Sequence, residues 1–505
     1  MNYQFTFLFL ALFMQSCSNQ NERSGEEIAK KYCTSCHLFP KPDLLDKQTW
    51  KDGVLPIMGE KLGISYYDGK YATAFEKDAG KQREESAIGF ANWMKLINYY
   101  TSNAPAKLPP QNRGPVNKYS YRFSVMVPTL AHEKPSCTYI KIDPGNEVIY
   151  LGSANDSSFS VYDKRLELIV KQRLGKTPVH LDFNENLSLP GDRSGVLTNI
   201  GSFYPNHYKT GTIQPFYIYN NRTLELKTSI SEFLPRPVQT ISIPVNEHFK
   251  DYLICGFGHE TGGLYYLHKS SDTTIYEKEI LSEIPGAVCA YIEDYNKDNL
   301  PDLMVLFAQG NEGIFLFTNN GKGGFNSREI LRFPPVYGST YFEMQDMNSD
   351  GLKDIIYTCG DNYDYSRVLK NYHGVYIFLN KGDNRFSQEY FFPVNGCYKA
   401  IGRDFDKDGD VDIAAISFFP DSLQLQESFV YLENKGTLKF SPTTIPQFGR
   451  SRWITMDAGD IDADGDDDIV IGNLVLKTNI TSPSLKKKVE YPPFLLLLNK
   501  TPQVK

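Results

Sequence analysis

Two cysteines spaced by two residues and followed at once by a histidine, Cys33-Thr34-Ser35-Cys36-His37, are the residues in this chain best suited to chemistry. On or just past a helix, both thiols can add to the vinyl groups of one porphyrin. The histidine is then held beneath the iron as its proximal ligand. Gly25 to Lys31 reads as that helix. A zinc site would need a second ligand pair nearby, but the next Cys is Cys137 and the next His is His132. A thioredoxin-type redox pair would need an adjoining βαβ pattern, which is missing. The motif predicts one haem c.

A second chemistry lies further along. Four loops share one acidic spacing: Asp294, Asn296, Asp298 and Asp302; Asp346, Asn348, Asp350 and Asp354; Asp404, Asp406, Asp408 and Asp412; Asp460, Asp462, Asp464 and Asp468. Oxygens at the first, third, fifth and ninth positions, with a carbonyl near the seventh, can wrap a hard cation. Ligand number and flexibility favour Ca²⁺ over Mg²⁺. Gly351, Gly409 and Gly465 permit the sharp turn at the sixth position, where the first loop carries Asn299. An EF-hand would need flanking helices and a Glu at the twelfth position; here strands follow. Three to four Ca²⁺ ions are expected.

Elements must position both sets. For the haem, the distal ligand is expected to be Met58, in the Pro- and Gly-bounded stretch Gly53-Val54-Leu55-Pro56-Ile57-Met58-Gly59. A loop-borne thioether there would complete a His/Met iron. Met94 competes, but its spacing with Ile88, Trp93, Leu96, Ile97 and Tyr100 reads as an amphipathic helix. Residues 22–105 thus resemble a small all-α cytochrome c-like domain of class I. Residues 106–119, rich in Pro and polar residues, read as a semi-rigid linker.

Each acidic loop runs into an apolar strand, and a second strand follows that ends in an Asn-Lys-Gly or Asn-Asn-Gly turn. Several short strands in each repeat of fifty or so residues are the pattern of a β-propeller blade. Weaker copies precede them: Asp251 with Gly263 to Leu267, then Tyr139 to Val170 and Val179 to Thr228, the last with the degenerate run Asp182 to Asn186. The predicted fold is therefore multidomain, a haem domain followed over 120–500 by an all-β, seven-bladed propeller. The loops resemble the FG-GAP/VCBS repeats of integrin-like propellers, a resemblance that implies structural calcium at the blade edges.

The whole chain sets outer bounds. Its 505 residues exceed one ordinary core, and 33 Tyr and 32 Phe favour strands. A net charge of -7 gives no electrostatic reason to expect nucleic acid. Phe5 to Met14 is an apolar run of signal-peptide length, and Ser16-Cys17 resembles a bacterial lipobox. Residues 1–17 are thus expected to be a lipoprotein signal, with Cys17 lipidated and the lipid as the only membrane attachment. That implies an exported outer-membrane or cell-surface lipoprotein, otherwise a periplasmic one. Cys137, Cys255, Cys289, Cys359 and Cys397 remain, as buried thiols or with disulfides such as Cys255–Cys289 and Cys359–Cys397.

The order of signal, haem module and propeller resembles exported VCBS-repeat proteins of Bacteroidetes that carry a cytochrome c segment. It implies one-electron transfer by the haem, with the propeller as scaffold for a redox partner protein, another protein or a glycan. Two alternatives stand beside it. One is a propeller oxidoreductase passing substrate electrons to its own haem; the other is an adhesive, glycan-binding surface protein. No catalytic residue is assigned, because no nucleophile motif or metal-spaced histidine pair is visible in the linear sequence.

Overall fold

A computed structural model describes residues 24–67, 69–73, 86–129, 134–183, 192–245, 250–269, 275–361, 366–446, 451–475 and 491–500. Cys17 and its signal segment, His132, the end of the Asp182 to Asn186 run and the loop 246–249 lie outside the described residues. The chain divides into two compact units: the described residues of Met1–Asn112, Pro334–Val336 and Asn362–Tyr372, and the remainder.

The larger unit is a β-propeller of seven blades. Blade 1 is Cys137–Asp143, Val148–Ser153, Ser158–Asp163 and Leu168–Arg173. Blade 2 spans Pro178–Phe183 to Thr223–Leu226 and adds a fifth strand, Ser231–Leu234, that the sequence pattern did not show. Blades 3 to 6 begin on the inner strands Pro237–Pro244, Ala287–Glu293, Ser339–Gln345 and Cys397–Arg403. Blade 7 takes Trp453–Gly459, Asp468–Asn473 and Phe494–Asn499 from the chain's end, and closes on Phe123–Met126 from before blade 1. That closing strand pairs antiparallel, Phe123 opposite Asn499 and Met126 opposite Leu496.

The second strands of blades 4 to 7, starting at Asp302, Asp354, Asp412 and Asp468, are buried from end to end. Each is covered on both faces by neighbouring blades, so it reads as a continuous apolar run and not an alternating one. An isoleucine such as Ile413, fully buried there, contributes about 1.5–3 kcal/mol by its burial. Inner strands are tied blade to blade by polar side chains. Asp182 accepts from Ser242 N, Gln239 from Ala290 N, Glu343 from Gly402 N, and Asp457 from Ile142 N across the ring's closure. No disulfide joins the described cysteines. Cys255 and Cys397 are buried thiols, each pushed well above its usual pKa by burial and then by the neighbouring Cys289 or Cys359.

The expected linker is not loose along its second half. Arg113 forks onto both oxygens of Glu427, at 3.1 and 2.6 Å, and donates to the Pro393 carbonyl. Val116 N adds a bond to Glu427, and Ser120 N reaches Thr444 O, so this stretch is laid onto blade 6.

The smaller unit holds helices over 24–33 and Phe90–Asn103, and a continuous helical stretch made of Lys47–Thr49, a π turn Trp50–Val54, and Leu55–Lys61. Trp93, Leu96 and Tyr100 form the buried stripe of Phe90–Asn103, and Tyr100 meets Trp50 with ring centroids 4.4 Å apart. Two expectations are corrected. The unit is not all-α, because Gly63, at φ 79°, ends the second helical stretch and a hairpin Ile64–Tyr67/Lys70–Thr73 follows. Met58 lies in the helix Leu55–Lys61, not in a turn. Pro56, with no N–H to donate, sits just where the π turn passes into Leu55–Lys61, and Gly59 lies flat under Trp93, so neither breaks the stretch.

Candidate metal centre and haem-binding residues

The four acidic loops share one hydrogen-bonded skeleton. The first Asp accepts from the fifth residue's N–H at 3.0–3.2 Å and from the sixth residue's N–H at 2.7–3.0 Å. To aim these N–H groups inward the chain turns left-handed twice. The fourth positions, Lys297, Ser349, Lys407 and Ala463, have φ of 59–65°, and the sixth, Asn299, Gly351, Gly409 and Gly465, have φ of 67–95°. Glycine and asparagine at the sixth position were legible in the sequence; the strained fourth position was not.

The ninth carboxylates, Asp302, Asp354, Asp412 and Asp468, are at most 1% exposed. One oxygen of each accepts the backbone N–H of the asparagine ending the third strand, Asn319, Asn380, Asn434 or Asn499, at 2.7–2.8 Å. The other accepts from Tyr295 N, Met347 N or Ile461 N, and in blade 6 from the Tyr431 hydroxyl at 2.6 Å. These asparagines, read from sequence as turn residues, therefore lock each loop to its blade. A carboxylate oxygen has two lone pairs, so this use leaves a second acceptor site on each.

The loops differ in how far their carboxylates converge. Asp404, Asp406 and Asp412 bring oxygens within 4.8 Å of one another, as do Asp460, Asp462 and Asp464. In blades 4 and 5 the third position is an asparagine whose amide donates to Asp298 or Asp350 at 2.8 and 3.0 Å. In blade 6, Arg122 already meets Asp406 at 3.3 Å and Glu433 at 3.1 Å. Blade 7 offers the clearest fit for a cation, because Asp462 Oδ1 is enclosed without a hydrogen-bond partner beside two more carboxylates. Burial first, and then crowding by neighbouring carboxylates, raises Asp468 and Asp412 to about 7 and Asp406 to about 6. A hard divalent cation would supply the charge these groups lack.

In the smaller unit, Cys33 is half-buried and Cys36 exposed, just past the helix over 24–33. The Tyr100 hydroxyl donates to the Pro40 carbonyl at 2.8 Å and lies 3.8 Å from Cys33 Sγ, fixing the turn that carries the motif. Burial raises the Cys33 thiol's pKa against that hydroxyl's pull. His37 Nδ1 lies 3.0 Å from the Leu38 carbonyl, which can only accept, so Nδ1 carries the proton of that bond. Cys33 and Met58 both border the cluster built on Trp50, Trp93 and Tyr100, whereas Met94 is 42% exposed. The structure also brings together two histidines that linear spacing did not relate: His207 and His259 have ring centroids 5.2 Å apart, their hairpins held by Arg236 through the Phe203 and Gly258 carbonyls.

Residues 294–357 and 404–471 match the FG-GAP-like repeat family. The larger unit is thus a seven-bladed propeller bearing FG-GAP-like repeats, and the acidic loops of blades 4 to 7 fall within or between the matched stretches. No curated protein matches the chain.

Proposed function

We propose that the chain is an exported one-electron carrier whose calcium-stiffened propeller is the scaffold for a redox partner protein, and that Cys17 anchors it to a membrane through lipid. The observation that carries the electron-transfer part is the Cys33-Thr34-Ser35-Cys36-His37 turn, with His37 Nδ1 held by the Leu38 carbonyl and Met58 on the same core cluster as Cys33. Cys33 and Cys36 would hold the porphyrin, His37 the iron, and Met58 its opposite side. The haem would supply reversible one-electron iron chemistry. This chain's own residues do the positioning: Tyr100 pins the motif turn through Pro40, and Trp50 donates to the Pro42 carbonyl at 2.8 Å. Ca²⁺ in the loops of blades 6 and 7, and more weakly in blades 4 and 5, would hold the blade edges.

The test is an optical spectrum of the full chain produced in a host that matures cytochromes c. A reduced α-band that survives acid–acetone extraction and vanishes in Cys33→Ala/Cys36→Ala supports the reading. Loss of the red-edge charge-transfer band in Met58→Ala would identify the distal ligand. A chain that emerges without haem from such a host sinks the electron-transfer role and leaves a binding propeller.

A further inference from the structure

The inner strands of all seven blades line a partly open cavity of ≈ 240 Å³ at the centre of the propeller. Its walls are unusually polar for a space between packed strands. Lys141 comes from blade 1, His180 from blade 2, Gln239 from blade 3, Lys399 from blade 6 and Asp457 from blade 7.

We propose that this axial cavity is a binding site for a small hydroxy-carboxylic acid in its monoanionic form. The proposal is independent of the haem and calcium readings. Among the described residues, no hydrogen bond or ion pair reaches the Lys141 ammonium, which lines the cavity. Lys399 Nζ spends one of its three N–H groups on the Met456 carbonyl at 2.8 Å and stands 4.7 Å from the centre of the Tyr341 ring. Two ammoniums thus face one carboxylate, Asp457, whose Oδ2 is occupied by Ile142 N at 2.9 Å. The lining carries a surplus of one positive charge, which a monoanion neutralises; a dianion would be repelled by Asp457.

The remaining polarity asks for a hydroxyl. His180 lines the cavity, but its Nδ1 is shut off from it without a hydrogen-bond partner, so Nε2 is the ring nitrogen left to meet a ligand. Burial, and then Lys141 and Lys399, push the His180 pKa down to about 3, so at neutral pH its ring is uncharged and can exchange a hydrogen bond with an alcohol. Asp457 Oδ1 is a second acceptor for such a group. The volume is below that of drug-sized pockets, roughly 300–1,000 Å³, which limits the ligand to a few carbons. Ordered water alone is the competing occupant.

The experiment uses the full-length protein with ¹⁵N-labelled histidine, titrated with L-lactate and D-gluconate, and in parallel with succinate, inorganic phosphate and glucose. Lactate or gluconate is expected to shift the His180 ring resonances and to release heat. Binding should be at least about tenfold tighter than for succinate, a difference of about 1.4 kcal/mol, and Lys141→Met should weaken it about tenfold. Equal binding of phosphate would mean the cavity reads charge alone and would overturn the hydroxy-acid assignment. So would binding by glucose, unaltered binding in Lys141→Met, or no response to any acid at about 10 mM, which leaves water as the occupant. Should Lys141→Met fail to fold, the His180 titration of the unaltered protein decides.

Discussion

In blade 1 the corner between the inner and second strands holds one buried carboxylate, Asp143, and the protein brings its own cation to it. Arg193 reaches across from blade 2 and forks onto both oxygens, Nη2 to Oδ1 and Nε to Oδ2, each at 2.7 Å. Asn146 N and the Tyr150 hydroxyl complete the set. The same corner in blade 7 gathers Asp460, Asp462 and Asp464 within 4.8 Å and leaves one enclosed oxygen unbonded. Both corners join the same two strands. One is electrically finished by the sequence; the other, on the proposed reading, would be finished by an ion taken from solution. That difference would make part of the ring's stability a function of its surroundings.

The largest effect should come from taking the ion away. Chelation with EGTA is expected to lower the propeller's calorimetric transition, by about 2.7 kcal/mol for each loop that had been held at a hundred times its Kd. Asp462→Ala should abolish the blade 7 share and leave the rest. A transition that EGTA does not move would show that the acidic loops are solvated turns. Arg193→Met breaks the comparison from its other side. It strands Asp143, which is 8% exposed, as an uncompensated charge, at a cost of about 3 kcal/mol. That loss should be the same with Ca²⁺ or EGTA, and a loss that calcium restores would mean blade 1 also takes a cation.

How far the sequence carried the reading follows from the same contrast. Blades 4 to 7 were legible because each repeats the acidic spacing, a buried strand and a third strand ending in asparagine, followed in blades 4 to 6 by a turn glycine, a pattern that is local in sequence. Blade 1 was visible as strands, but its charge partner was not, because Asp143 and Arg193 are fifty residues apart and meet only across two blades. The closing strand Phe123–Met126 was hidden for the same reason: its pairing partner lies at the other end of the chain. Near the Cys33-to-His37 motif, Pro56 and Gly59 gave a correct warning of irregularity and the wrong element, since the π turn and Trp93 packing absorb both. The axial cavity left no linear trace, because its wall draws on the inner strands of all seven blades.

A third kind of buried carboxylate separates the two solutions. Glu312, 2% exposed, sits in neither an arginine fork nor an acidic loop; Ser339 N, Ser339 Oγ and Gly338 N donate to it, and the Asp361 carboxylate lies nearby. Burial lifts its pKa from 4.5 to about 7. The folded state therefore holds a proton that the unfolded chain has lost, and this contribution is complete below pH 4.5 and disappears as pH rises to about 7. Stability of the unaltered propeller should fall over that window by roughly 1–3 kcal/mol. In Glu312→Gln, urea unfolding at several pH values should show a shallower slope, losing Glu312's share and keeping that of Asp412 and Asp468. An unchanged slope would place the titration elsewhere.

The smallest expected effect bears on how the acidic loops are built. Ala463, with φ 62°, holds the left-handed fourth position of the blade 7 loop, where lysine or serine stands in the others. A side chain in that conformation costs about 1–2 kcal/mol, of which glycine's greater chain entropy takes back about 0.5–1 kcal/mol. Ala463→Gly should then raise stability by about 0.5 kcal/mol in EGTA, because the strain is relieved and nothing else is touched. The informative comparison is the same variant in Ca²⁺. An equal gain would mean the ion merely occupies a turn whose shape the backbone sets alone. A gain that shrinks or reverses would mean that the strained residue holds Asp462 and Asp464 in place for the ion, so that blade 7 stores in its backbone what blade 1 places in Arg193.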